Sequence, residues 1–369
     1  MMLLALRNLV SEKTRFAFSA AGIGFAVFLI TVLIGLYQGW NQKVGGFVED
    51  VRTDLWVARE GTTDFINAAS ILPEDIGQDV AARDGVAATH PLIVRPMQFD
   101  KGDKRVELHL IGYDTGSGTG GPVRITKGKA EPGAGEIIID DVLSKTSGVG
   151  VGDVLSSGDA SFTVVGIASG GNFAFTQAGF MDIETASDLL SMDGLVTFWL
   201  VGLDDGADAT AIGQDIMGAH QGSTVFTSAE FASATRHRIL DNVVPIIGLI
   251  VGLAFIVGIA VTSLTIYTAT VEKTREFGIM KAVGFNNRDL YRLVLIQSFI
   301  TGIVGFVVGV ALTLVLSQFI DQLVAQFIVY VRPIDIALVL VSTMVMAGAA
   351  AIVPARRVGA VDPAVAFKG

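Results

Sequence analysis

Residues Val243–Val271 read VVPIIGLIVGLAFIVGIAVTSLTIYTATV and contain no charged side chain. Wound as a helix at 1.5 Å per residue, the run is about 43 Å long, more than a bilayer core of about 30 Å requires. Three other stretches share this character: Phe16–Gln42, Leu293–Ile320 and Ile336–Ala355. Soluble proteins rarely contain four such runs, so the sequence predicts four transmembrane helices, at 16–42, 243–269, 293–320 and 336–353. Composition agrees. The 369 residues are 51% hydrophobic and 17% charged, where a soluble domain carries about 25% charged residues.

The first run also has the basic flank of a secretory signal peptide. It is too long for one, however, and it ends in Tyr37 and Trp40, the residue types of an interfacial belt, rather than in a cleavage site. Basic residues then orient the chain. Arg7, Lys13 and Arg15 precede the first span, and Lys273, Arg275, Lys281, Arg288 and Arg292 lie between the second and third. Arg356, Arg357 and Lys368 follow the fourth. By the positive-inside rule these clusters face the cytosol. The expected topology therefore has a cytosolic amphipathic segment at 1–15, a cytosolic loop at 270–291, an outer loop at 321–335 and a cytosolic tail at 354–369. It places the protein in the cytoplasmic membrane with both termini cytosolic and the large insert, 43–238, outside.

The insert differs from the rest of the chain. Residues 41–241 hold 14 basic against 29 acidic side chains, a balance of −15, which excludes nucleic acid as a partner. Short β-rich runs at Leu55–Val57, Val106–Ile111, Glu136–Ile139 and Phe162–Ile167 alternate with turn-rich stretches, including the loop Thr115–Pro122. Helices are predicted at Pro73–Arg83, Ile183–Leu190 and Ala209–Ala219. The mixed order indicates an α+β domain.

No catalytic constellation is present in the sequence. The four histidines lack metal-ligand spacing, cysteine is absent, and there is no nucleophile elbow. Gly148–Asp153 (GVGVGD) lacks the Lys-Ser/Thr of a phosphate loop and reads as tight turns. Asp140-Asp141 and Asp204-Asp205 are acidic pairs of the kind that can bind a divalent ion. Arg236, His237 and Arg238, just outside the second span, are candidates for contact with lipid head groups or an anionic substrate. Within the spans, Gly35/Gly39, Gly248/Gly252 and Gly305/Gly309 have the four-residue spacing that lets helix backbones approach. The absence of charge within the spans argues against an ion pathway through them.

The loop between spans two and three begins TVEKTREFGIMKAVGFNNRDL (Thr270–Leu290). Phe277, Met280 and Ala282/Val283 set out an apolar stripe, with Glu272, Arg275, Glu276 and Lys281 in other directions. Such a helix either lies on lipid or docks in a partner's groove. Residues 272–285 resemble the coupling segment of the MacB/FtsX/LolC-E family of ABC transporter permeases. Residues 354–367, the Gly150–Leu155 and Phe162–Ile167 pair, and Ile71–Asp75 are also similar to that family.

The resemblance implies a four-span, DevC/HrtB-like subunit with a large extracytoplasmic α+β domain. It implies a permease that is not itself an enzyme and that works as a homodimer with two copies of a separate ABC ATPase, because no nucleotide-binding loop occurs in the sequence. ATP and Mg would bind there, and no cofactor on this chain. Membrane lipids and a periplasmic adaptor are further partners of this class. Arg275, Glu276, Gly278, Lys281 and Gly284 fall in the segment that docks on the ATPase. The function implied is export or extraction of a hydrophobic or amphipathic substrate (lipid, haem, peptide or drug) by mechanotransmission. The alternative is an FtsX-like signalling scaffold that activates an extracytoplasmic enzyme.

Overall fold

The computed structural model describes residues 13–67, 69–323 and 328–360. The chain starts with helix α1 (Lys13–Val44) and a short turn of helix, α2 (Gly46–Asp50). Strands and short helices follow: β1 (Leu55–Arg59), β2 (Leu72–Pro73), α3 (Asp75–Ala81), β3 (Val86–Lys101), β4 (Lys104–Tyr113), β5 (Arg124–Gly128), β6 (Glu136–Asp140) and α4 (Asp141–Ser147). Next come β7 (Val154–Ser157), β8 (Ala160–Ser169), β9 (Ala178–Asp182), α5 (Ile183–Leu190), β10 (Leu195–Val196), β11 (Phe198–Leu203), α6 (Ala209–Ala219) and β12 (Ser223–Thr227). Helices α7 (Ser228–Glu272), α8 (Thr274–Ala282), α9 (Asn287–Leu323) and α10 (Pro333–Gly359) complete it. Contacts divide the chain into two units: Gly39–Asn242, and a helical unit formed by the residues through Gln38, Val243–Leu323 and those from Ile328.

The Gly39–Asn242 unit is α+β. Its main sheet has the order β12-β1-β11-β3-β4-β9-β6-β8-β5, with β7 against β3 and β8, and β10 pairs separately with β2. The sheet is mixed: β4–β9 and β6–β8 run parallel and the other pairs antiparallel. Side chains alternate between its faces, as extended backbone requires. From β1, Trp56 and Ala58 enter an aromatic core with Phe47, Phe65, Phe173, Phe180, Phe198 and Phe231. Leu55 and Val57 enter the opposite one, under Val80 of α3 and Ile216 of α6. Likewise Ile138 of β6 faces the aromatic core, while Ile137 and Ile139 pack with Leu143 of α4. Both faces of the sheet are therefore covered.

Local signals set the helix ends here. Asp182 and Asp208 cap α5 and α6 by accepting backbone N–H bonds, and both helices cover their expected ranges. Helix α3 is shorter than the expected Pro73–Arg83, because Leu72-Pro73 pairs with β10 instead. The 148–153 stretch does form turns. Gly148 ends α4 in the left-handed conformation, and the Asp153 carboxylate accepts the Gly150 N–H at 2.7 Å.

In the helical unit, α1, α7, α9 and α10 are each long and apolar enough to cross a membrane. Helix α1 packs on α9 through glycine: a Cβ on Gly309 would lie 2.5 Å from the Gly24 carbonyl oxygen, and one on Gly305 would lie 2.7 Å from Ile23. Gly258 of α7 sits against Met346 of α10. By contrast, Gly248 and Gly252 meet nothing within 4 Å.

Each of the four long helices extends beyond its expected apolar span at both ends, α7 starting as early as Ser228. Helix α10 continues through Pro354 to Gly359, so the first residues assigned to the tail are helical. Helix α9 runs to Leu323 and α10 begins at Pro333, which shortens the 321–335 loop from both ends. A charge ends an apolar run without ending the helix, and Pro333 is suited to a first helical turn. Arg7, Lys368 and the chain ends they belong to lie outside the described residues.

Candidate functional site at the α7–α8–α9 joint

Helix α7 gives way to α8 at Lys273, and the new helix is only nine residues long. What ends it is a Schellman motif. The Phe285 N–H donates to the Met280 carbonyl and the Gly284 N–H to the Lys281 carbonyl, both at 3.0 Å. The motif needs a left-handed residue, and Gly284 supplies it with φ of 107°. Met280 and Phe285, the two side chains that accompany such a cap, both pack against the core below. Asn286 then leads into α9, its backbone N–H donating to Asp289 at 3.1 Å.

Helix α8 has two faces. Phe277 and Gly278 are buried, and Phe277 packs with Ile266, Leu290, Leu293, Val294, Ala351 and Val358 from α7, α9 and α10. Lys281 lies on this side too, and its ammonium donates to the Gly359 carbonyl at 2.7 Å. That oxygen is at the C-terminal, negative end of α10, where a cation is favoured. The other face carries Arg275, Glu276, Ile279, Ala282 and Val283, all exposed, with Ile279 48% and Val283 76% accessible.

The apolar stripe expected from the sequence is thus split. Phe277 and Met280 point to the bundle, but Ala282 and Val283 fall on the other side of α8 with Ile279 and are exposed. Among the five sequence-predicted residues, Arg275 and Glu276 are outward, Gly278 and Lys281 are inward, and Gly284 is the cap. Ile279 was not singled out. Its spacing of four from both Arg275 and Val283 is the signal that places it on their face.

A second contact fixes the joint from α1. Both guanidinium N–H groups of Arg15 pair with both carboxylate oxygens of Glu272, the last residue of α7.

The other sequence candidates lie in the Gly39–Asn242 unit. Arg236 pairs with Glu49 at 2.5 Å and donates to the Asn41 carbonyl at 3.1 Å. Gly45 leaves room for it, since a Cβ there would fall 2.7 Å from the Arg236 side chain. Arg236 is therefore engaged within its own unit, while His237 and Arg238 are exposed. Asp140 and Asp141 do not converge. Asp140 is buried and accepts from the Val142 and Gly171 N–H groups, and Asp141 accepts from Lys145 at 2.8 Å. Among the described residues no group of three metal-ligating side chains forms. Burial pushes the Asp140 carboxyl up to about 6 and lowers His109, whose ring nitrogens meet Thr176 and the Ile66 carbonyl.

Family models match both parts of the chain: a MacB-like periplasmic core domain over residues 16–219 and an FtsX-like permease C-terminal over residues 248–363. The chain belongs to the MacB/FtsX family of ABC transporter permeases. An uncharacterised ABC transporter permease of Mycobacterium tuberculosis is 25% identical to this permease over 371 residues, covering 100% of both chains. The macrolide export ATP-binding/permease protein MacB of Psychrobacter cryohalolentis is 22% identical over 397 residues, covering 98% of the permease and 58% of that protein. The periplasmic region of MacB from Actinobacillus actinomycetemcomitans aligns with 49% of the permease and 92% of its own chain, at a TM-score of 0.39 and 10% identity. The permease is a multi-pass membrane protein with a large α+β domain of the periplasmic type.

Proposed function

We propose that the permease is the membrane subunit of an ATP-driven exporter or extractor, powered by a separate ABC ATPase that docks on the outward face of α8. The observation that carries this is the division of labour on α8. Its inner face is fixed by Phe277, Lys281 and the Gly284 cap, while Arg275, Glu276, Ile279 and Val283 face outward. Exposed apolar side chains beside an unlike pair of charges suit a protein groove better than bulk water.

Mechanotransmission fits the rest. Helix α7 is one continuous element of 45 residues, about 68 Å long, joining the last strand of the outer domain to the joint. A helix transmits displacement along its axis, and its only internal proline is Pro245. Without charged groups inside the spans, ATP-driven movement of α8 is a better power source than an ion gradient. The substrate is hydrophobic or amphipathic (a lipid, haem, peptide or drug) and is handed on at the outer domain. Two copies of the chain and two of the ATPase form the working unit, with both termini cytosolic. Helix α7 exposes Ile246, Leu249, Leu253, Ile256, Val257 and Leu264, a surface suited to lipid or a second copy.

The test is ATP hydrolysis by the permease co-purified with its ATPase in nanodiscs, wild type against Arg275→Ala/Glu276→Ala, with candidate substrates added in turn. Stimulation by one compound class, lost in the double variant, supports the reading. An ATPase that binds and turns over equally well with the variant sinks it.

A further inference from the structure

Between β8 and β9 the chain makes a tight excursion, Gly170–Gln177, that sends one phenylalanine inward and the next outward. Phe173 is fully buried in the aromatic core, its ring centroid 5.5 Å from that of Phe65 and 5.7 Å from that of Phe47. Phe175, two residues on, is 50% exposed. The loop is held in this form from several sides. Asn172 and Gln177 pair across its base as an isolated bridge. Within it the Phe173 N–H donates to the Thr176 carbonyl at 2.9 Å, and the Ala174 N–H to the Asn172 side chain at 3.0 Å. The Thr176 hydroxyl bonds the His109 ring at 2.9 Å. Ala174 has φ of 73°, in the left-handed region that residues other than glycine seldom occupy. Backbone held in such a conformation by its surroundings is a mark of a functional position.

Phe175 is set against Trp40, with the two ring centroids 4.7 Å apart. Trp40 belongs to helix α1 and lies near the end of the charge-free run Phe16–Gln42, so its height relative to the bilayer follows from its place on the helix. It is 25 residues beyond Arg15, the last charge before the run. That is about 38 Å along the axis, where a bilayer with its headgroup layers measures about 40–45 Å. The turn before α10 marks the same level independently. Its Tyr330 N–H donates to the Gly35 carbonyl at 2.9 Å, and a Cβ on Gly35 would lie 2.6 Å from Val329. The chain reverses direction there, and Trp40 lies about 7.5 Å further along α1. Both measures put the Trp40 indole, and the Phe175 ring upon it, in the headgroup layer on the side of the α+β domain. Aromatic side chains are favoured at that level.

We propose that the Gly170–Gln177 loop is a membrane-contact element of the α+β domain, with Phe175 entering the headgroup layer beside Trp40 and resting on the upper acyl carbons. A lipid surface suits this ring better than a protein groove, because it continues the interfacial belt that Tyr37 and Trp40 begin. The α+β domain thereby has a foothold of its own on the bilayer. On the exporter reading, an amphipathic substrate in that leaflet first meets the domain at this loop. The lipid contact itself does not depend on that reading.

The sequence contains no cysteine, so Phe175→Cys creates a single kind of site for a nitroxide spin label. The labelled full chain is placed in phosphatidylcholine nanodiscs without an ATPase, which separates failure here from failure of the docking reading. Power-saturation electron paramagnetic resonance then compares access by oxygen, which concentrates in lipid, with access by a nickel chelate, which stays in water. Val154→Cys is the comparison, because Val154 is also 50% exposed and lies on β7 next to the Asp153–Lys101 ion pair. The ratio of oxygen to nickel access is expected to be several-fold higher at position 175 than at position 154. A second variant keeps an aromatic ring: Phe175→Trp should add fluorescence that acyl-brominated phosphatidylcholine quenches. Equal ratios at the two positions overturn the proposal, and so does an added tryptophan signal that brominated lipid leaves unchanged. Shielding of the label from both reagents, with spin–spin broadening, also overturns it and assigns the loop to contact with a second copy.

Discussion

Replacing Lys281 with methionine keeps the length of the side chain and removes its ammonium. Among the described residues, what is lost is the 2.7 Å bond to the Gly359 carbonyl at the end of α10. A hydrogen bond to a charged group is worth about 1.5–3 kcal/mol, and Lys281 is partly exposed, so the lower end, about 1.5 kcal/mol, applies. Methionine keeps an apolar stem of similar length, so packing losses are small. A change of about 1.4 kcal/mol is tenfold in an equilibrium constant. Local opening of α8 away from α10 should therefore become about tenfold more frequent. Amide hydrogen exchange in nanodiscs reads this directly, as faster exchange in peptides spanning 275–283 and 356–360. The sheet of the outer domain should be unaffected. Unchanged exchange in Lys281→Met would refute the inward assignment, most sharply if Arg275→Ala sped exchange instead.

Gly309→Ala should destabilise the helical unit by about 1–3 kcal/mol, because its Cβ meets the Gly24 backbone. Gly248→Ala, in open space, should be neutral or stabilising by up to about 1 kcal/mol; thermal unfolding in detergent compares the two. Gly284→Ala places a side chain at φ of 107°, costs about 1–2 kcal/mol, and should fray the end of α8, seen as faster exchange at 283–286. Asp140 makes the outer domain pH-dependent. With its carboxyl raised from 3.8 to about 6, its favourable contribution is complete below 3.8 and lost as pH rises through about 6. Between pH 4 and 7 the wild type should lose about 2 kcal/mol relative to Asp140→Ser, which keeps a cap. All three tryptophans (Trp40, Trp56 and Trp199) lie in that unit and report its unfolding, and the opposing contribution of His109 cancels in the comparison.

The four membrane helices and the α+β insert were legible because they rest on runs: absence of charge over a span, and short β-rich stretches such as Glu136–Ile139. The short helix α8 follows the stretch singled out from its residue pattern, and its contact with an ATPase is the proposal made above. What could not be read were contacts between residues distant in sequence. Lys281 and Gly359 meet only because α8 and α10 end together, and no local pattern records that. Arg15 and Glu272 are likewise a tertiary pair. Small-residue spacing was ambiguous for the same reason: Gly305 and Gly309 receive α1, whereas a Cβ at Gly248 or Gly252, with identical spacing, meets no described residue within 4 Å. Arg236 looked like a surface cation beside a membrane, but Gly45, Asn41 and Glu49 form a seat for it. The division of α8 depends on where the helix stops. Gly284 marked the stop, and the turn it ends turned Val283 outward.

Charge exchange on the outward face tests the central claim most directly. The permease carrying Arg275→Glu/Glu276→Arg is co-expressed with the ABC ATPase encoded beside it, and the complex is captured through the ATPase. Recovery is compared with wild type and with Lys281→Met. Docking through the outward face predicts that recovery falls at least tenfold in the exchanged variant and by less in Lys281→Met. Wild-type recovery of the exchanged variant would contradict it and move the ATPase to another surface.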